Sequence, residues 1–147
     1  EYSHVVAALI RRFQEAKQSG AADVTVWGTG TPRREFLYVD DMADACVHLM
    51  KTYSASEMVN IGTGSDITIA DFARLVAATV GYTGAISYDI SRPDGTPQKL
   101  LDVSRLDSLG WHARTSLEDG MRLAYRAYLN ESTQPVESST VPPVSVA

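Results

Sequence analysis

Arginine carries most of the positive charge in this chain, and it is clustered. Ten of the thirteen cations are arginine, among them the pairs Arg11-Arg12 and Arg33-Arg34, while Arg92 sits in a polar loop with Lys99 close by. A guanidinium fork matches phosphate and carboxylate oxygens two hydrogen bonds at a time, so loops and helix faces that bring several to one point make a diphosphate clamp. Taken singly, each is also what an ordinary solvated cation looks like. Arg34 stands out by position, between a Gly-Pro loop and a β-prone run, where a strand-edge side chain reaches into a cleft. Trp27 ends a β-prone run just before Gly28. Its period favours the core, and its place beside a glycine loop equally makes it a wall for a flat base or sugar. His4, at the start of the first helix, reads as a surface residue whose imidazole is able to act as acid or base near neutral pH. His48 and His112 default to structural or surface roles, and Cys46, mid-helix, to a small core residue. Three scattered histidines and one cysteine give no metal-ligand spacing. Asp40-Asp41 is explained more economically by a helix start than by a catalytic dyad.

These residues need elements to hold them. After Ser3 as N-cap, residues 5–18 place Val5, Leu9, Ile10 and Phe13 on one helical face, and Ser19-Gly20 ends the helix. Val24–Trp27 reads as a strand, Gly28–Pro32 as a loop, 35–39 (EFLYV) as a second strand, and 40–53 as a helix with acids in its first turn. Met58–Ile61 reads as a strand, Gly62–Gly64 as a turn, and Thr68 with Asp71 as the capping box of a helix closed by Gly81. Ala85–Asp89 alternates like a strand, and 92–97 (RPDGTP) excludes regular structure. A short helix over 104–109 follows, and Thr115 with Glu118 forms a capping box for a last helix to about Asn130. Residues 131–147, rich in Pro, Ser and Thr without aromatic side chains, read as a disordered tail.

With 147 residues, 44% of them hydrophobic, the chain suits one domain with a real core. A formal net charge of −5 argues against a general polyanion-binding surface and so against nucleic acid. A single cysteine excludes an internal disulfide framework and fits a reducing, cytoplasmic setting. No apolar run approaches the roughly 20 residues that cross a membrane, and no signal-peptide pattern opens the sequence. Beginning at Glu1 without an initiator Met, the chain reads as a piece of a larger protein. Alternating strands and helices give an α/β fold, yet no G-x-G-x-x-G or Walker-type loop occurs, and the turns at 28–30 and 62–64 are too short to cradle a dinucleotide in that way.

The stretches SHVVAALIRRF, VTVWGTGTPRREFLYVDDMADA, VNIGTGSDITIADFA and RPDGTPQKLLDVSRLDSLGW resemble the carboxy-terminal half of the GDP-L-fucose synthase family, extended short-chain dehydrogenase/reductases. The resemblance implies the α/β substrate-binding lobe of a Rossmann-type enzyme over residues 1–130, with the dinucleotide-binding half outside the chain. It implies an NADPH-dependent enzyme that epimerises GDP-4-keto-6-deoxymannose at C3 and C5 and reduces the C4 ketone to give GDP-L-fucose. Residue by residue, it makes His4 the acid of epimerisation, close to the nicotinamide. Arg12, Trp27 and Arg34 become substrate-binding residues, Lys99 a contact to the nucleotide diphosphate, and Arg92 a helper.

The family's glycine-rich NADP loop, its catalytic Ser and Tyr-x-x-x-Lys, and the cysteine that partners the histidine lie in the amino-terminal half. Cys46 is not that cysteine, so the resemblance implies that the fragment alone transfers no hydride. A full-length homodimer and a GDP-sugar substrate, with neither nucleic acid nor membrane as partner, complete the expectation. One departure concerns specificity: Ala85 stands where family members can carry a basic residue that contacts substrate. Two other readings stand beside the first, a different nucleotide-sugar epimerase or dehydratase of the same superfamily and a non-catalytic nucleotide-sugar-binding fragment.

Overall fold

The structure, a computed structural model, describes residues 4–133. Helix α1 (Val5–Ser19) leads into β1 (Asp23–Trp27), β2 (Arg33–Glu35) and α2 (Val39–Thr52). Then follow β3 (Asp66–Thr68), α3 (Ile69–Val80), β4 (Ala85–Asp89), β5 (Gln98–Lys99), α4 (Ser104–Ser108) and α5 (Leu117–Thr133). The strands form two small sheets. β1 and β4 run parallel, with Trp27 opposite Asp89, and β2 lies between antiparallel β3 and parallel β5.

The main core follows from simple periodicities. Val24 and Val26 alternate inward from β1, and α1 lays Leu9, Ile10, Phe13 and Ala16 over them. Phe72, Ala73, Val76, Ala77 and Val80 of α3 complete the layer, with Met121 of α5 and Tyr82 at its margins. Phe13 and Tyr82 meet with ring centroids 5.5 Å apart, and Phe36 stacks on Phe72 at 4.1 Å. A smaller cluster gathers Ala45 of α2, Leu106 of α4 and Trp111. Gly20 and Gly81 end α1 and α3 in the left-handed conformation, at φ 67° and 76°, where a side chain would be strained.

Several expectations shift. The first helix is capped by His4, whose side chain makes no capping hydrogen bond, while Ser3 lies outside the described residues. The second strand ends at Glu35, because the next residues leave the sheet, Phe36 to stack on Phe72 and Leu37 to pack in the smaller cluster. Residues 58–61 form no strand. Val59 and Ile61 do turn to one side, against the Ala45–Leu106–Trp111 cluster, but no strand pairs with them among the described residues. The last helix is capped one residue later than expected: Ser116 Oγ accepts from the Asp119 N–H at 3.1 Å and donates to its carboxylate at 2.7 Å. That helix continues to Thr133, and the expected tail from residue 134 on lies outside the described residues. Cys46 is exposed rather than core, because the buried face of α2 is narrow and passes through Asp41 and Ala45. No helix among the described residues is long and apolar enough to cross a membrane.

Candidate functional site

In a parallel pair, the loops beyond the carboxyl ends of the strands are free of the sheet's own hydrogen bonds and can turn outward around a ligand. Here those loops are 28–32 after β1 and 90–97 after β4. Trp27, last in β1, is 59% exposed and not part of the core. The Gly28 N–H donates to the Asp89 carbonyl at 2.9 Å, tying the two strand ends together. From the β4 side, Arg92 places its guanidinium 4.9 Å from the centroid of the Trp27 ring, a cation on an indole, with its Nε 3.7 Å from Asp89 Oδ2. The Ser91 hydroxyl and N–H donate to Asp89, at 2.5 Å and 3.1 Å, and hold its carboxyl below the usual range, so it stays ionised beside the guanidinium.

Asp94 closes the loop pair. One oxygen accepts the Thr29 N–H at 2.6 Å, the other the Thr29 hydroxyl at 2.8 Å. The approach is so close that a Cβ on Gly28 would lie 2.3 Å from Asp94 Oδ1, and Gly28 holds φ at 82°. Further along, the Arg33 N–H donates to the Pro97 carbonyl at 2.7 Å, and a Cβ on Gly95 would come within 4.0 Å of Arg34 Nη2. The 92–97 loop therefore runs from the indole to Arg34.

Successive strand side chains face opposite ways, which sorts the two neighbouring arginines. Arg33 shares a face with Thr68 and Gln98 and meets Asp66, its Nε donating to Oδ1 at 2.7 Å. Gln98 Nε2 donates to the other oxygen of Asp66 at 2.6 Å and, with Arg33, holds that carboxyl below its ordinary range. Arg34 and Lys99 are register partners on the opposite face. Arg34 donates to the Arg33 carbonyl at 2.7 Å, and neither cation meets a carboxylate among the described residues. Like charges directly opposite one another oppose strand pairing, so this pair is neutralised by nothing that holds the fold.

Of the five residues singled out from the sequence, three are thus gathered by one loop: Trp27, Arg34 and Lys99. Arg12 is half-buried on α1, and its Nη2 donates to the Thr25 carbonyl at 2.5 Å, two residues before Trp27. His4 is exposed at the head of α1, eight residues and about 12 Å of helix from Arg12, and among the described residues no hydrogen bond or ion pair joins it to the cluster. Sequence reasoning missed Asp94 and Thr29, whose contact spans 65 residues with no local signal beyond a turn-forming Pro-Asp-Gly.

The same geometry tests the dinucleotide. A phosphate on a glycine turn needs free backbone N–H groups. At 28–30 the Thr29 N–H is taken by Asp94. At 62–64 the N–H groups of Thr63 and Gly64 donate to Glu35 Oε1, at 2.5 Å and 2.7 Å. Both turns are filled by carboxylates, which repel phosphate. Neither fits NADPH.

The family model described as NAD dependent epimerase/dehydratase matches residues 1–62. Over 129 residues, 88% of this chain and 40% of the relative, the sequence is 56% identical to GDP-L-fucose synthase 1 of Arabidopsis thaliana. The chain is a relative of the GDP-L-fucose synthases. The GDP-L-fucose synthase of Escherichia coli strain K12 is 50% identical over 136 residues, 86% of this chain and 42% of that protein. A crystal structure of a GDP-L-fucose synthetase from Naegleria fowleri bound to NADP superposes with a TM-score of 0.83 at 25% identity, over 88% of this chain and 41% of the other. The mixed α/β fold superposes on under half of that enzyme, and the chain spans about 40% of the length of the curated relatives.

Proposed function

We propose that this chain forms the substrate-side part of an NADPH-dependent enzyme that epimerises GDP-4-keto-6-deoxymannose at C3 and C5 and reduces C4 to form GDP-L-fucose. The observation that carries the reading is the Arg34–Lys99 pair, two cations side by side with no carboxylate partner among the described residues, linked through the 92–97 loop to an exposed indole. A nucleoside diphosphate-sugar offers what this surface lacks, an anion between two flat or polar ends. In this reading Arg34 and Lys99 take the diphosphate oxygens, Trp27 walls the base or sugar, and Arg92 screens charge from the indole side. Arg12 contacts substrate from α1 once its guanidinium turns from the Thr25 carbonyl.

His4 is the acid. Removing a proton beside the C4 ketone leaves an enolate, and epimerisation at C3 or C5 needs that carbon re-protonated from its opposite face. An exposed imidazole that makes no capping hydrogen bond is free to meet a substrate brought to it. NADPH supplies the hydride for C4. The carboxylate-filled turns leave its binding to residues outside this chain, so no step of hydride transfer is assigned to residues here. A homodimer and a cytoplasmic setting complete the proposal.

The test is binding of GDP, with UDP as the comparison, to the 147-residue chain, followed by Trp27 fluorescence. GDP should bind, Arg34→Ala with Lys99→Ala should weaken it about a hundredfold, the loss of two charge-assisted contacts, and added salt should weaken the wild type further. Affinity unchanged in the double variant sinks the diphosphate assignment. A preference for UDP favours another nucleotide-sugar enzyme, as Ala85 suggests. In the longer protein, failure to make GDP-L-fucose from GDP-4-keto-6-deoxymannose and NADPH sinks the substrate.

A further inference from the structure

The loop that carries Arg92 is folded back over the 28–32 turn; Asp89 holds Arg92 at its start, and between its ends the Asp94 side chain ties it to the turn. Asp94 is exposed, yet both of its oxygens are committed to Thr29, one to the backbone N–H and one to the hydroxyl. Thr29 is in turn held by its own loop, since its Oγ1 accepts the Thr31 N–H at 3.2 Å and lies 2.7 Å from Thr31 Oγ1. Gly28 leaves the carboxylate room where any Cβ would strike it. Two residues before Asp94, the Arg92 guanidinium lies on the indole; one residue after it, Gly95 faces Arg34. Asp94 thus sits at the midpoint of the ribbon that joins the aromatic wall to the cation pair.

We propose that Asp94 is a positioning residue. By gripping Thr29 it latches the 92–97 loop to the glycine turn, which keeps Arg92 on the Trp27 indole and sets the width of the gap between that wall and Arg34–Lys99. The identity of what enters the gap rests on the nucleotide-sugar reading; the latch itself does not. Asp94 touches no ligand in this scheme and acts through Arg92 and Trp27. An aspartate is suited to the task because its two oxygens match an N–H and an O–H on one residue. Residues 90–97 are exposed, so without that grip the loop would be held at its ends, by Arg92 on Asp89 and by the Arg33 N–H on the Pro97 carbonyl, and free to swing between them.

The chain reports on this directly because it has two tryptophans in unlike settings. Trp111 is buried, with its Nε1–H donating to Asp44 Oδ2 at 2.8 Å, so it registers global folding, while Trp27 registers the loop. Acrylamide quenching of the 147-residue chain, with Trp27→Phe subtracted to isolate each signal, is measured for Asp94→Ala, Thr29→Val and Thr29→Ser, without ligand and then with GDP. Asp94→Ala and Thr29→Val should raise quenching of Trp27, leave Trp111 and the melting temperature nearly unchanged, and weaken GDP about tenfold, the loss of one or two exposed hydrogen bonds to a charged acceptor. Thr29→Ser, which keeps the hydroxyl, should behave as wild type. In an Arg92→Met background Asp94→Ala should add nothing further, as expected of two residues in one chain of contacts.

Unchanged Trp27 quenching in Asp94→Ala overturns the latch. A tenfold loss of GDP affinity with unchanged quenching overturns it too, by placing Asp94 on the ligand, and full additivity with Arg92→Met overturns the route through Arg92. If the wild type takes no GDP, the nucleotide reading falls, and the ligand-free quenching series still decides the latch.

Discussion

The two glycine turns of this molecule are closed by the same device and for different ends. At 62–64, Glu35 reaches from β2 so that Oε1 accepts the N–H groups of Thr63 and Gly64 and Oε2 accepts that of Leu101 at 2.9 Å. Three backbone donors from two distant segments converge on one half-buried carboxylate, which ties β2 to the turn and to the chain leaving β5. At 28–30, Asp94 is exposed and, among the described residues, takes donors from Thr29 alone. The difference in burial separates a joint of the scaffold from a latch of the site. Losing a half-buried carboxylate takes the acceptor from three backbone donors at once, one of them in a part-buried bond, whereas at Asp94 one exposed residue loses its partner and water can replace it.

Removing each carboxylate measures that difference. Glu35→Ala should cost about 3 kcal/mol, roughly 10 °C in melting temperature, since it takes a charged acceptor from three N–H groups, one of them, that of Thr63, in a part-buried bond. Thermal or urea unfolding reads it. Asp94→Ala should change stability by no more than about 0.5 kcal/mol, as exposed substitutions do, while altering Trp27. A cost at Asp94 equal to that at Glu35 would erase the distinction between joint and latch. Next in size, Gly62→Ala would put a Cβ 2.5 Å from Glu35 Oε1 and displace the carboxylate, for about 2 kcal/mol of overpacking. Its effect should vanish in the Glu35→Ala background, because the clash has no other cause.

The helices were legible because their signals are local. Gly20, Gly81 and the Thr68–Asp71 cap each act within one turn of the chain, and the sequence places them where the structure has them. The capping box at 115–118 slipped by one because Thr115 and Ser116 offer the same chemistry, and only Ser116 stands at the residue whose hydroxyl meets the Asp119 N–H. Strands were less legible. Alternation at 58–61 reports which side is apolar, and Val59 with Ile61 obeys it, but a strand also needs a neighbour, which alternation does not encode. Conversely β2, β3 and β5 are short and polar, and their pairing depends on Arg33, Asp66 and Gln98 meeting across more than 30 residues. At the candidate site, residue type alone singled out Trp27 and the arginines, and resemblance raised Lys99. Asp94 and Glu35 stayed hidden because a carboxylate in a turn or strand looks solvated until the distant backbone that claims it is known.

The smallest effect separates the two neighbouring arginines. Arg33 is matched to Asp66, whose carboxyl is held below 3.8 by the Gln98 hydrogen bond first and by Arg33 beside it. A depressed folded value means that the ionised form is favoured by folding: the contribution is complete above 3.8 and is lost as pH falls through the lower value in the folded chain. The melting temperature of the wild type should therefore decline as the solution is acidified below that point, and Asp66→Asn should flatten this part of the acid limb. Arg33→Gln should flatten it in part, since Gln98 still supports the carboxylate. Arg34→Gln, removing a cation with no carboxylate partner, should leave the limb unchanged and shift stability at pH 7 by no more than about 0.5 kcal/mol, in the favourable direction if repulsion from Lys99 is felt at all. A loss of stability on Arg34→Gln would mean that the cation pair serves the fold, and the argument that it awaits an anion would lose its physical basis.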